Sequence, residues 1–284
     1  QYLFRRLCAA VDRIMDEVSE ELKSSDFEPL AFELAFGADG QLPAITIREE
    51  NGTARVVGKV DRVDGWLHNG KLYLRVVDYK TGKKSFDLAE LRYGLGLQML
   101  LYLFTLKEEG RALFGGQEIV PAGVLYTPAR EPMLRCARDT APEKIEKARK
   151  KELRRSGMVL EDPAVLQAME HSALTSPCYL PIAVKKDGAV TGSLASAEQL
   201  GKLSTYVDRL LHEITQEVFA GNIDADPYAR TPQLSACTYC EFASACHFEN
   251  GCGSDRMEYI KATKNDEFWQ HIDEVNGKEA RSDG

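Results

Sequence analysis

Between residues 2 and 22 the apolar positions Leu3, Leu7, Ala10, Val11, Ile14, Val18 and Leu22 recur every three or four residues, the spacing of an amphipathic helix. It is expected to end near Ser24-Ser25. Residues 29–36, PLAFELAF, are an apolar and aromatic run closed by Ala38-Asp39-Gly40, which predicts a strand and a turn. A second strand is expected over 44–48. Residues 56–63 and 71–79 are rich in β-branched and aromatic side chains and meet across Asn69-Gly70, a strong hairpin signal, so three antiparallel strands are predicted. Residues 88–106 place Leu91, Leu95, Met99, Tyr102, Leu103 and Leu106 on one face and predict a helix running through Gly94 and Gly96. PAGVLYT, residues 121–127, is a further buried strand. Residues 196–219 form a second long amphipathic helix whose buried stripe is Leu200, Leu203, Val207, Leu210, Leu211, Ile214 and Val218. The tail after Lys261 is polar enough to be partly disordered. Helix, three strands, helix, strand is the order of an α/β sandwich around a mixed sheet.

Composition narrows the class. With 284 residues the chain has ample length for a buried core. Hydrophobic residues are 44% and charged residues 28%, and no apolar stretch approaches the ~20 residues a membrane helix needs, so a soluble protein without a membrane span is expected. The net charge of −8 argues against a protein that coats nucleic acid through bulk charge and leaves a local basic groove, or contact shared with a partner, for that purpose. Residues 142–157 supply such a segment: Lys144, Lys147, Arg149, Lys150, Lys151, Arg154 and Arg155 against Glu143, Glu146 and Glu152, a net of +4. A solvated helix and a phosphate-contacting patch are the two readings of it. The chain opens on Gln1 with no signal-peptide layout, and a longer parent chain is expected.

The chemistry concentrates in the hairpin. With its centre at Asn69-Gly70, Asp61 falls directly across from Asp78. Opposed carboxylates destabilise a sheet and raise one another's pKa unless a cation lies between them. Lys80 returns to the same face two residues on, and Tyr79 between them offers its carbonyl. Hard oxygen ligands of this kind suit Mg²⁺ or Mn²⁺ and phosphodiester hydrolysis. The plain alternative is that Asp64 and Asp78 cap strand ends and Lys80 is a solvated edge lysine.

GKVDRVD (58–64), VVDYKTG (76–82) and GLQMLLY (96–102), in that order, resemble the PD-(D/E)XK nuclease domain of the RecB type, most closely as found in AddB subunits of bacterial helicase–nucleases. PAGVLYTPAREPM (121–133) and PCYLPIAVKKDG (177–188) extend the likeness over nearly the whole chain. The resemblance implies a restriction-endonuclease-like core, a mixed sheet flanked by helices, with a cysteine-rich staple at its C-terminal end. It implies a nuclease domain over 1–230, with its core at about 28–130 and a helical, basic insertion at about 140–190, then a staple segment at 231–260 and a polar tail at 261–284. Asp61 and Asp78 would hold the metal with the Tyr79 carbonyl, and Lys80 would be the catalytic lysine. Gln98 and Tyr102 match the Gln-x-x-x-Tyr motif, sharing one helix face at i, i+4. Glu33 would add an acid from the first strand. No histidine precedes His68, so the histidine this group often carries on a helix further upstream either lies before Gln1 or is absent.

The activity implied is a metal-dependent DNA exonuclease that trims one unwound strand, 5′ to 3′, at double-strand breaks during recombinational repair. The implied partners are single-stranded DNA and the AddA helicase–nuclease subunit, with no membrane, in the bacterial cytoplasm. A non-catalytic DNA-binding or helicase-docking module is the alternative, and a stand-alone CRISPR-associated exonuclease the remoter one.

Seven cysteines, three of them in CTYCEFASAC, suit metal ligation in a reducing compartment better than a disulfide framework. Cys237, Cys240 and Cys246 supply three thiolates where a [4Fe–4S] cluster or a closed zinc site needs four. The spacing resembles the iron–sulfur staple of AddB, which implies a fourth cysteine far upstream, beyond the residues present. Cys8 is the sole upstream cysteine, in a context that does not match. Cys252 or His247 could stand in, giving a site that takes zinc as readily as a cluster. Cys136 and Cys178 are isolated and expected to be small buried thiols.

Overall fold

The computed structural model describes residues 1–279. Helix α1 (Tyr2–Lys23) leads into β1 (Glu28–Phe36), then β2 (Ile45–Glu49), β3 (Gly52–Val56), β4 (Gly58–His68) and β5 (Lys71–Lys80). The chain continues through α2 (Leu88–Arg92), α3 (Gln98–Glu109), β6 (Glu118–Pro128), α4 (Pro142–Glu152), β7 (Ser156–Leu160) and α5 (Pro163–Met169). There follow β8 (Ile182–Val184), β9 (Val190–Gly192), β10 (Leu194–Ala195) and α6 (Ala197–Ala220). The last elements are β11 (Tyr228–Thr231), β12 (Leu234–Ser235), α7 (Ala243–Cys246), β13 (Glu258–Tyr259) and α8 (Asn265–Glu279).

Contacts divide the chain into two units. The first comprises Gln1–Ile45, Arg55–Phe86 and Gln98–Ser204. Its centre is a six-stranded sheet in the order β1-β4-β5-β6-β7-β10. Strands β1, β4 and β5 are antiparallel, as expected, while β6 runs parallel to β5 and antiparallel to β7, so the sheet is mixed. The β4–β5 turn has φ of +50° at Asn69 and +76° at Gly70, the pair of positive angles a tight two-residue hairpin requires and Asn-Gly tolerates. A parallel neighbour cannot be reached by a hairpin, and the crossover from β5 to β6 runs through α3. Val76, Val77, Leu74 and Leu125 on β5 and β6 and Met99, Leu100, Leu103 and Leu106 on α3 are essentially solvent-free. Each such side chain contributes about 1.5–3 kcal/mol of burial, and this fixes the strand that carries Asp78.

Four expectations need correction. The helix predicted over 88–106 is two helices, because Gly94 and Gly96 adopt φ of +73° and +71° and end the first turn set. The strand expected at 44–48 is β2, but it pairs with β3 in a separate two-stranded ribbon. The basic stretch 142–157 is a solvated helix only as far as Glu152; Ser156 and Gly157 already belong to a central strand, and Gly157 packs so closely on β6 that a Cβ would strike the Val124 carbonyl. Finally, α1 buries Val18 and Glu21 but leaves Leu7 and Val11 exposed.

The second unit comprises Thr46–Ala54, Asp87–Leu97 and the chain from Thr205 onward. Asp87 caps α2 by accepting the Ala89 N–H at 2.8 Å, and Arg230 forms ion pairs with Asp87 and Glu90. Strands β12, β11 and β13 form a small sheet. The tail expected to be polar folds over 265–279 as α8, since Phe268, Trp269 and Ile272 make one buried apolar stripe; residues 280–284 lie outside the described residues. On α6 the predicted stripe holds as far as Val207, whereas Ile214 and Val218 are exposed. Among the described residues no helix is long and apolar enough to cross a membrane.

Candidate active site

The β4–β5 ladder has the register its turn predicts, from His68 opposite Lys71 to Arg62 opposite Val77. One step further along stand Asp61 and Asp78, and there the strands part. The Tyr79 N–H donates to Asp61 Oδ2 at 2.9 Å, so a carboxylate takes over as acceptor where the ladder ends. Asp78 is buried, with a relative exposure of 7%. Burial pushes its carboxyl above the usual range, Asp61's charge adds to that, and Lys80 pulls the other way. Lys80 Nζ lies 2.7 Å from Asp78 Oδ2 and 5.8 Å from the centre of the Tyr126 ring. That contact is an ion pair without hydrogen-bond geometry, and Asp78 Oδ2 is left with no hydrogen bond in the interior.

A buried carboxylate that is costly to ionise, beside a second one and balanced by a single lysine, fits a hard divalent cation. Among the described residues no three His, Cys, Asp or Glu side chains converge on one point. Two carboxylates with the remaining positions open to water and phosphate is the pattern Mg²⁺ takes at phosphoryl sites, in contrast to a closed Ca²⁺ or Zn²⁺ cage.

The opposite face of the same strands carries a buried charge network. Asp64, fully buried, accepts from Arg75 Nε at 2.9 Å and from Arg62 Nη2 at 3.0 Å. It caps no strand end. Arg62 Nη1 donates to the Tyr79 hydroxyl at 2.5 Å, and Glu21 of α1 joins Arg155 at 2.6 Å and Arg75 at 3.8 Å. Tyr79 thus binds both faces together, its N–H to Asp61 and its hydroxyl to the network. Sequence reasoning missed this arrangement, although the register that the Asn69-Gly70 turn sets also places Asp64 opposite Arg75.

Gln98 and Tyr102 lie one turn apart at the start of α3, and Gln98 Nε2 donates to the Tyr102 hydroxyl at 3.0 Å. The same hydroxyl accepts the Lys59 N–H at 3.2 Å, and the ring stacks on Phe36 at 5.3 Å. The pair therefore clamps the start of β4, two residues before Asp61. Gly58 leaves room for the clamp: a Cβ there would meet the Tyr102 hydroxyl and lie 2.9 Å from Cε1. Gly58→Ala is expected to cost about 1–3 kcal/mol through overpacking and to slow any reaction at Asp61, which urea denaturation and rate measurements on one preparation would check.

Glu33 sits between the pairs Phe32–Arg62 and Leu34–Val60, alongside Asp61 in register. Its φ is +52°, and its exposed side chain is ion-paired with Lys59. The structure therefore places Glu33 against a lysine rather than in one cluster with Asp61 and Asp78.

The cysteine segment is an ordered loop in which the Cys240 N–H donates to the Cys237 carbonyl at 3.2 Å and Cys246 ends α7. Cys237 is half-buried, and Cys240, Cys246, Cys252 and Cys8 are exposed free thiols; Cys136 is exposed too and Cys178 only half-buried, so neither is the buried thiol expected. Among the described residues no three such side chains gather into a group that could hold a metal ion, so Cys237, Cys240 and Cys246 do not converge on one centre as their spacing suggests, and no four-thiolate site is formed.

Residues 1–247 match the model of the PD-(D/E)XK nuclease superfamily. The chain is 33% identical over 277 residues to an ATP-dependent helicase/deoxyribonuclease subunit of Ruminiclostridium cellulolyticum, covering 96% of this chain and 24% of that protein. It is 35% identical over 267 residues to the protein of the same name from Acetivibrio thermocellus, covering 93% of this chain and 23% of that one. With the like-named protein of a Thermoanaerobacter species the identity is 32% over 287 residues, covering 100% and 24%. The chain thus spans about a quarter of the length of the curated relatives it matches. The sheet order, the split hairpin with its two acids and lysine, and the family match agree: this chain belongs to the PD-(D/E)XK nuclease superfamily.

Proposed function

We propose that this chain hydrolyses phosphodiester bonds of DNA with Mg²⁺ or Mn²⁺, as the nuclease part of a helicase–nuclease that trims broken DNA ends. The observation that carries the reading is the Asp78 carboxylate, buried beside Asp61 and attended by Lys80 where β4 and β5 part. A divalent ion held by Asp61 and Asp78, with the Tyr79 carbonyl at hand, would supply an acidified water and neutralise phosphate charge.

The remaining work falls to the protein. Asp61, with Oδ2 tied to the Tyr79 N–H, keeps Oδ1 for a ligand. The Lys80 ammonium, held between Asp78 and Tyr126, is placed to offset negative charge on the phosphoryl oxygens as it develops, and a fixed donor of this kind is worth about 100- to 1000-fold in rate. Tyr102 and Gln98 set the position of β4, and Gln98, at the exposed start of α3, is open to the substrate strand.

The relatives' name, a helicase/deoxyribonuclease subunit, supports a partner subunit and DNA as substrate; that the partner is a helicase–nuclease of the AddA kind and that the site of action is the cytoplasm are part of the same proposal. Cys237, Cys240 and Cys246 would contribute three thiolates of a [4Fe–4S] staple to the longer protein, which iron analysis of an anaerobically purified full-length protein tests.

The test of the activity is digestion of single-stranded DNA labelled at either end. Cleavage with Mg²⁺ or Mn²⁺, abolished by EDTA, with mononucleotides or short products released first from the 5′ end, is the expected result. Metal-independent cleavage, or none at any divalent ion, would overturn the reading.

A further inference from the structure

A groove beside Lys80 gathers positive charge on this acidic chain. Beyond β5 the chain turns at Thr81-Gly82 into Lys83 and Lys84, and these meet the end of β6 and the last turn of α4. The groove so formed, about 350 Å³, is lined by Lys80, Lys83, Lys84, Arg130, Lys151 and Arg154, with Glu152 the one carboxylate among its lining residues. Six cations gathered in one groove of a chain with net charge −8 are a strong local concentration of positive potential.

Lys83, Arg130 and Arg154 are tied to fixed partners. Glu152 lies 3.3 Å from Lys83 and 3.6 Å from Arg130, so one anion orients two cations without neutralising both. Arg154 is fixed by hydrogen bonds to the carbonyls of Ile182 at 3.2 Å and Pro177 at 2.5 Å. Arg130 Nε and Arg154 Nε are buried donors with no hydrogen-bond partner. Arg154 and Ser156 also line a second, more open groove that begins at Phe86 and runs to the β8–β9 ribbon. A basic channel followed by a half-buried aromatic ring is how single strands are gripped independently of sequence, through phosphate contacts and base stacking.

We infer that this groove is the path of the single DNA strand on one side of the scissile bond, with Lys83, Lys84 and Lys151 on its phosphates and Phe86 beneath a base. The inference rests on the nuclease reading but goes beyond it in fixing which surface holds the strand. It divides the basic segment: Lys151 and Arg154 face the groove, while Arg149 pairs with Glu17 of α1 at 2.9 Å.

The test is anisotropy of a labelled oligothymidylate with the full chain in EDTA, over a range of salt. A triple variant, Lys83→Gln, Lys84→Gln and Lys151→Gln, is compared with a control triple of exposed lysines outside the groove, Lys107→Gln, Lys144→Gln and Lys147→Gln. Loss of three phosphate contacts from a single strand lowers the slope of log K against log salt by about 2. The groove triple should show that drop, at least tenfold weaker binding and, with metal restored, a raised KM at nearly unchanged kcat. The control should match wild type, and both should keep the wild-type circular dichroism. Phe86→Leu should weaken binding several-fold with the slope unchanged. Metal-dependent cleavage with equal binding loss in both triples, or none in either, overturns the groove and leaves the nuclease reading intact. A chain that neither binds nor cuts single strands overturns both.

Discussion

Asp64→Ala is expected to destabilise the protein by about 3–5 kcal/mol, the cost of leaving buried charges without their partner. Asp64 is the shared acceptor of Arg62 and Arg75, and all three are at most 1% exposed, so solvent does not take its place. The loss would be a large fraction of the roughly 5–15 kcal/mol that holds a domain folded. Urea denaturation measures it directly; a change below about 1 kcal/mol would show that the arginines relax to other partners. Glu21 gives the same network a pH signature. Burial works to raise its carboxyl, but Arg155, Arg75 and Arg62 together hold it below the usual carboxylate range. A depressed carboxyl contributes stability that is present above its unfolded pKa near 4.5 and lost as pH falls through the lower native value. Wild type should therefore lose stability steeply below pH 4.5, and Glu21→Gln should be less stable at neutral pH with a flatter acid limb.

Asp78→Asn is expected to move stability and activity in opposite directions. Its carboxyl is raised in the fold, so the contribution it makes is present below the unfolded pKa of 3.8 and is lost as pH climbs through the native value. At neutral pH the ionised side chain thus weighs against the metal-free fold. The asparagine variant should melt higher than wild type in EDTA, lose the rise in melting temperature that Mn²⁺ gives wild type, and cleave about 100- to 1000-fold more slowly or worse. A purely structural Asp78 would give the reverse: a lower melting temperature and activity retained in proportion to folded protein.

Local signals point to the candidate site because a two-residue turn fixes the cross-strand pairs that follow it. Asn69-Gly70 admits one tight geometry, so the register from His68–Lys71 to Arg62–Val77 follows without knowledge of the rest of the sheet, and Asp61 and Asp78 stand one step beyond its last pair, where the strands part instead of pairing. The Gln98–Tyr102 pair was legible for a similar reason, helix periodicity at i, i+4. What stayed hidden depended on distant residues. Glu21 and Arg155 join the network across 134 residues of sequence, and no periodicity carries that distance. Strand β7 was masked because its first residues follow a basic helix, while its identity comes from pairing with β6. The tail was misjudged from average polarity; three apolar residues on one stripe were enough to fold α8. Glycines 94 and 96 looked like tolerable blemishes in an apolar periodicity, but their positive φ divides the helix so that Gln98 opens a new one.

The central claim is that Asp61, Asp78 and Lys80 form one metal-dependent hydrolytic centre. Its most direct measurement is single-turnover cleavage of end-labelled single-stranded DNA by wild type, Asp61→Asn, Asp78→Asn and Lys80→Ala, side by side across Mg²⁺ and Mn²⁺ concentrations. Efficient cleavage by wild type and a loss of about 100-fold or more in each folded variant is the result predicted here. Wild-type rates in any of the three would contradict it.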